Sequence, residues 1–167
     1  DFTERIKRIK PSRYSRETMD KWILSNSSHV IDLAFHLCGS PLKLKSIVSG
    51  GNSWHPSGSV YAGCGLTLNG ALFSYHANWD SGGRWGIEII TPKRRLIFRP
   101  LEKLQEMIQG SFSVNSCVFD ESIDNNFKPG LFKQVQAFLQ GSGIEYLCSI
   151  EEHEENTRNY SKIAGYN

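Results

Sequence analysis

Asn69-Gly70 is the strongest local constraint in the sequence, because this dipeptide tolerates the positive φ angles of a type I′ turn and stands between two β-rich runs, Val60 to Leu68 and Ala71 to Trp79. A β-hairpin is expected there. Alternation along the second run places Phe73, Tyr75 and Trp79 on one face and Ser74, His76 and Asn78 on the other. An apolar face opposite a polar one calls for a core on one side only. Short β-rich runs separated by turn residues continue from about Leu44 to Phe98, which predicts a meandering, largely antiparallel open sheet. Trp85 to Thr91 and Arg95 to Arg99 flank a Pro92-Lys93-Arg94 turn, and Leu104 to Ile108 and Ser116 to Phe119 read as further short strands.

Helical spacing brackets the strands. Asn26 to Cys38 reads as a helix, with Asn26, Ser27 and Ser28 as capping candidates and Gly39-Ser40-Pro41 as its stop. Leu131, Phe132, Val135, Phe138 and Leu139 recur at helical spacing before Gly141, and this second helix is expected to cover the sheet. A third helix begins at a capping box of Ser149 and Glu152. Glu151, Glu154 and Glu155 lie early in it and Arg158 and Lys162 later, as the helix dipole prefers, and Gly165 closes it. Helix, consecutive strands, then two helices predicts an α+β domain with helices packed on one face of the sheet.

A length of 167 residues, with 39% hydrophobic and 22% charged side chains, suits one domain over 1–167 with one continuous core. The N-terminal residues lack the apolar stretch of a signal peptide and no apolar run is long enough for a membrane span, so a cytoplasmic protein without a membrane partner is expected. Cys38, Cys64, Cys117 and Cys148 are widely spaced and form no C-x-x-C pair, which suits reduced thiols rather than a zinc or redox motif. The formal charge of +2 is too small to imply a polyanionic partner. Arg5, Lys7, Arg8, Lys10, Arg13 and Arg16 make the N-terminal edge basic. Nucleic-acid binding would need stacking platforms or a motif beyond Phe2 and Tyr14, so the arm reads as an edge strand whose charges discourage aggregation.

At about 100° per residue, Val30, Ile31, Leu33, Ala34, Phe35, Leu37 and Cys38 cover one broad arc of the first helix, and His29, Asp32 and His36 fall together on the remaining stripe. Three readings fit that stripe. It is a solvated face; or it is a metal site built from two imidazoles and a carboxylate; or it is an acid/base site, with His29 carrying a proton and Asp32 orienting the ring or binding a substrate hydroxyl. Trp54, His55, His76, Asn78, Asp80 and Arg84 suit a carbohydrate pocket by residue type, and equally suit a surface or a dimer contact. Phe73, Tyr75 and Trp79 read as core.

The run Ser28-His29-Val30-Ile31-Asp32-Leu33-Ala34-Phe35-His36-Leu37-Cys38-Gly39 resembles the H-x-I-D-L segment with its L-x-G ending in the C-terminal domain of the glucose-fructose oxidoreductase / inositol dehydrogenase / MocA (Gfo/Idh/MocA) family. Trp22 resembles the tryptophan that commonly precedes that helix. The Asn69-Gly70 hairpin, the Trp85 to Phe98 strand pair and the final capped helix resemble later parts of the same domain, so the likeness spans nearly the whole chain.

This resemblance implies a substrate-binding and oligomerisation domain of an oxidoreductase acting on a sugar, polyol or nucleotide-sugar hydroxyl. His29 is then the catalytic residue, with Asn26 and Asp32 as substrate-binding groups. It also implies NAD or NADP as cofactor, held by an N-terminal Rossmann domain of which no trace stands here. The family's E-K-P lysine and a G-x-G-x-x-G turn opening a helix are both missing: Gly141-Ser142-Gly143 follows a helix, and Gly63-Cys64-Gly65 lies inside a strand. The 167-residue chain is therefore expected to be inactive alone, to bind no cofactor tightly, and to form a homo-oligomer through its sheet. The rival expectation is a noncatalytic binding or dimerisation module. One position departs from the family pattern: many members carry an aspartate four residues before the histidine, where this chain has Ser25, while Asn26 offers either an N-cap or a substrate ligand.

Overall fold

The computed structural model describes residues 14–166, so the basic N-terminal arm lies almost wholly outside the described residues. Among the described residues, five α-helices and two antiparallel sheets make it an α+β chain. The helices are α1 (Arg16–Asp20), α2 (Ser28–Cys38), α3 (Ser122–Asn126), α4 (Leu131–Gln140) and α5 (Ile150–Ala164). The strands are β1 (Pro41–Ser49), β2 (Val60–Thr67), β3 (Leu72–Asn78), β4 (Ile87–Ile90), β5 (Arg94–Phe98), β6 (Leu104–Ile108) and β7 (Asn115–Ser116). The expected single meander divides into a β1-β2-β3 sheet and a β4-β5-β6-β7 sheet. Pairing along β3 ends at Asn78, and the glycine-bearing connection Asp80 to Gly86 separates it from β4. The described residues form two compact units, 14–83 with 154–166, and 84–153.

In the first unit, β3 alternates as its sequence demands: Phe73, Tyr75 and Ala77 are half-buried and Trp79 is buried, while Leu72, Ser74, His76 and Asn78 are exposed. Its partner β2 carries Gly63 and Gly65 opposite Tyr75 and Phe73. A Cβ at Gly63 would collide with Tyr75 Oη and Lys45 O, and one at Gly65 with Lys43 O and the Phe73 ring, so small residues here let two aromatic rings lie across the strand. The hairpin forms where expected, but its turn is not type I′, and its register, Leu66 opposite Leu72 through Val60 opposite Asn78, is one residue off the Leu68 to Ala71 alignment that a two-residue Asn69-Gly70 turn would give. No non-glycine residue among those described has positive φ, so only Gly70 is left-handed (φ 80°). Leu68-Asn69-Gly70 forms a three-residue loop in which Gly70 N–H donates to Thr67 O and Thr67 N–H to Ala71 O. This is the arrangement in which one glycine suffices.

Two adjoining clusters form the core of this unit. Trp22, Ile23, Tyr61, Trp79 and Ala164 make one, backed by Met19, Val48, Trp54 and Tyr166; Phe35, Tyr160 and Ile163 make the other, backed by Leu24 and Leu44. Ile31 and Tyr75 contact both, so the helical segment before β1 and the second half of α5 lie on the same face of the β1-β2-β3 sheet.

The second unit holds the four-stranded sheet and α4. Gly141 (φ 70°) ends α4 by donating to Ala137 O, as its sequence predicts. The expectation that α4 buries its apolar stripe is not met. Ala137 is buried, whereas Phe138 and Leu139 are 76% and 74% exposed and Leu131, Phe132 and Val135 also face solvent. Helical periodicity identifies which face is apolar; it does not say what lies against it.

Candidate functional site

The segment carrying Asn26, His29 and Asp32 is not a plain capped helix. Ile23–Ser27 is π-helical, and Ser28 N–H reaches back to Ile23 O before α2 continues to Cys38. Ser27 has helical φ and ψ and makes no side-chain cap, and Ser28 Oγ donates to Leu24 O at 2.8 Å. The three capping candidates are therefore interior helical residues, because a helical turn already precedes them and leaves no orphan N–H groups for a cap. Asn26 is left without capping work, and its Oδ1 is buried with no hydrogen-bond partner. Single π-turns inside helices recur at functional sites, where the wider turn re-aims a side chain.

Asp32 differs from its two stripe neighbours. Its Oδ1 accepts from the Tyr160 hydroxyl at 2.7 Å and from Asn156 Nδ2 at 3.2 Å, tying α2 to α5, while His29 and His36 are exposed. The expected uniform stripe thus splits into one anchored carboxylate and two outward imidazoles. Asp32 lies only about 60° around the helix from buried Phe35, at i and i+3, which brings it to the border of the packed side. His29 faces solvent one turn before Asp32. Among the described residues no group of three or more His, Cys, Asp or Glu side chains is placed to hold a metal ion.

His55 is wholly buried rather than part of a surface or pocket. Its Nδ1 lies 2.8 Å from Gly58 O, an acceptor only, which assigns the ring proton to Nδ1; Nε2 then accepts from the Tyr166 hydroxyl at 2.7 Å. Tyr166 Oη in turn accepts from Ile23 N–H at 3.3 Å. Trp54 stacks on Trp79 at 5.2 Å, and Trp79 meets His55 edge-on at 5.0 Å, so these aromatic faces are occupied by one another. His76, Asn78, Asp80 and Arg84 are exposed. The cysteines are free thiols; Cys64 and Cys148 are exposed, and burial pushes the half-buried Cys38 thiol up.

Tyr160, Asn156 and Tyr166 escaped sequence reasoning. A signal was present in the i, i+4 pair Asn156 and Tyr160 and in Gly165, but helical spacing alone does not say which carboxylate they meet. Burial pushes the Tyr166 phenol up to about 12, with a smaller push from Asp20 and opposed by the Ile23 N–H, and burial raises Tyr61 above its ordinary range. Both phenols favour the neutral form when folded. The unfolded chain ionises first, near pH 10, so their contribution to stability is intact below pH 10 and declines as pH rises from there through about 12. Alkaline unfolding followed by tyrosinate absorbance is expected to begin near pH 10 in the wild type and to be less steep in Tyr166→Phe; equal steepness would contradict it.

Every described strand pairing is antiparallel, Gly141-Ser142-Gly143 leads out of α4 into a 3₁₀ turn, and Gly63 and Gly65 are spent on ring packing. The described residues therefore do not form a dinucleotide cradle. Among the described residues no helix is long and apolar enough to cross a membrane. The class that the fold defines is an α+β protein with two antiparallel sheets. Comparison with protein-family models, curated proteins and solved structures finds no match.

Proposed function

We propose that this chain is the substrate-side domain of an NAD(P)-dependent oxidoreductase of the Gfo/Idh/MocA kind, acting on a hydroxyl of a sugar, polyol or nucleotide sugar. The observation that carries the reading is Asn26, whose Oδ1 is buried without a donor in a π-turn, one helical turn from exposed His29. An unsatisfied buried acceptor costs about 1–3 kcal/mol, and a substrate hydroxyl is the kind of donor that removes the penalty. His29 is accessible to take that hydroxyl's proton, and Asp32, held by Tyr160 and Asn156, presents a fixed carboxylate one turn further on. The H-x-I-D-L resemblance supports the same roles. The nicotinamide nucleotide belongs to a nucleotide-binding domain outside these residues, and the 167-residue chain alone is inactive. Homo-oligomerisation through a sheet completes the reading.

A second reading, a noncatalytic binding or dimerisation module, is favoured by the uncovered apolar face of α4. The test is NAD(P)-dependent oxidation of a panel of sugars, polyols and nucleotide sugars by the natural gene product, beside the 167-residue chain alone. Turnover by the gene product with an inert isolated chain is expected. No turnover on any member, together with self-association of the isolated chain, would move the assignment to the module.

A further inference from the structure

We propose that the C-terminal helix is the positioning scaffold of the candidate site, with Tyr160 and Tyr166 as positioning residues that fix the two ends of the segment carrying Asn26, His29 and Asp32. The inference rests on the oxidoreductase reading for its catalytic consequence, and on geometry alone for the scaffold.

Gly165 sets up the arrangement. At φ 69° it ends α5 in a left-handed turn, donating to Lys162 O while Tyr166 N–H returns to Ser161 O at 2.9 Å. This is the paired 6→1 and 5→2 pattern of a Schellman ending, which fixes the direction in which the chain leaves the helix. The Tyr166 phenol is thereby held between two partners: it donates to His55 Nε2 at 2.7 Å and accepts from Ile23 N–H at 3.3 Å, the first residue of the π-turn. His55 is itself fixed by Gly58 O at 2.8 Å. One end of the segment is thus pinned through a relay of three hydrogen bonds.

The other end is pinned from the body of the same helix. Tyr160, 1% exposed, donates to Asp32 Oδ1, and Asn156, 2% exposed and one turn earlier, donates to the same oxygen. Between the pins lie the π-turn, Asn26 with its unpartnered Oδ1, and His29. A π-turn is an uncommon backbone state and persists where its surroundings over-determine it. Ser28 Oγ on Leu24 O supplies one local restraint, and Tyr166 supplies the restraint from outside the segment.

The test is amide hydrogen exchange and backbone NMR shifts on the 167-residue chain, comparing wild type with Tyr166→Phe, Tyr160→Phe and, as a control, Tyr146→Phe, whose side chain is exposed. Gly165→Ala is added as a variant that redirects Tyr166 while keeping its hydroxyl. Tyr166→Phe and Gly165→Ala are expected to speed exchange at the Ile23 amide about tenfold and to shift Asn26 and His29. Tyr160→Phe is expected to shift Asp32 and His29, and the control neither. In the natural gene product, both tyrosine variants are expected to lower kcat about tenfold or more with KM little changed. Unchanged Ile23 exchange and unchanged His29 resonances overturn the scaffold. Shifted resonances with wild-type kcat overturn its positioning role. If no substrate is turned over by the wild type, the oxidoreductase reading fails, and the exchange result still decides the scaffold.

Discussion

His29→Ala is expected to reduce kcat of the proposed oxidoreductase by about 10²–10⁴-fold, the range in which a positioned proton-transfer group acts. Because His29 is exposed on α2, its truncation leaves no cavity in either core cluster. The substitution therefore separates chemistry from folding more cleanly than a change at Asp32, whose removal would also strip Tyr160 and Asn156 of their shared acceptor. The measurement is steady-state turnover of the natural gene product on whichever member of the substrate panel it oxidises, beside a denaturant melt of the same variant. A variant that folds like wild type and keeps wild-type kcat would remove His29 from the mechanism. Loss of kcat with the melt unchanged would assign it.

Trp79→Ala is expected to destabilise the chain by about 3–5 kcal/mol, the usual cost of emptying a buried aromatic site. Trp79 is 8% exposed, stacks on Trp54, lies edge-on to His55 and packs tilted against Tyr61 at 4.9 Å. Removing the indole takes away one wall of the His55 cage as well as the packing of Tyr61, so the hydrogen-bond relay to Tyr166 and Ile23 loosens with it. A domain stable by about 5–15 kcal/mol has little margin for such a loss. A lower denaturant midpoint and lower melting temperature are expected, by about 2–4 °C for each kcal/mol at this chain length. A loss below about 1 kcal/mol would mean that the aromatic cluster is loosely packed and that the β1-β2-β3 sheet is held by the Phe35 and Tyr160 cluster instead.

The two substitutions meet at one short stretch of chain, which carries His29 and whose start packs against Trp79. Trp22 and Ile23, in the core with Trp79, lead directly into the π-turn, so the same segment supplies core packing at its start and the proposed chemistry further along. Loosening the first is expected to disturb the second.

Local preference and periodicity in the sequence were enough to define the α+β class, the Val60 to Trp79 hairpin, the apolar face of β3, the run of α2 to Gly39, and the ends of α4 and α5. Each depends on residues near one another in the chain: a turn dipeptide, alternation at period two, a glycine after a helical repeat. Ser149 is an example, since its Oγ accepts from Glu152 N–H at 3.1 Å as the capping-box spacing requires. Tertiary structure alone decided the rest. It replaced a type I′ turn by a three-residue loop, divided one expected sheet into two, and left the stripe of α4 uncovered. It turned three capping candidates into interior residues of a π-turn and α2, buried His55 and joined it to Tyr166, and tied Asp32 to Tyr160 and Asn156. The physical reason is range: local rules specify which face of an element is apolar and where it stops, whereas a hydrogen bond between Asp32 and Tyr160 depends on how the sheet and two helices pack, which no window of neighbouring residues contains.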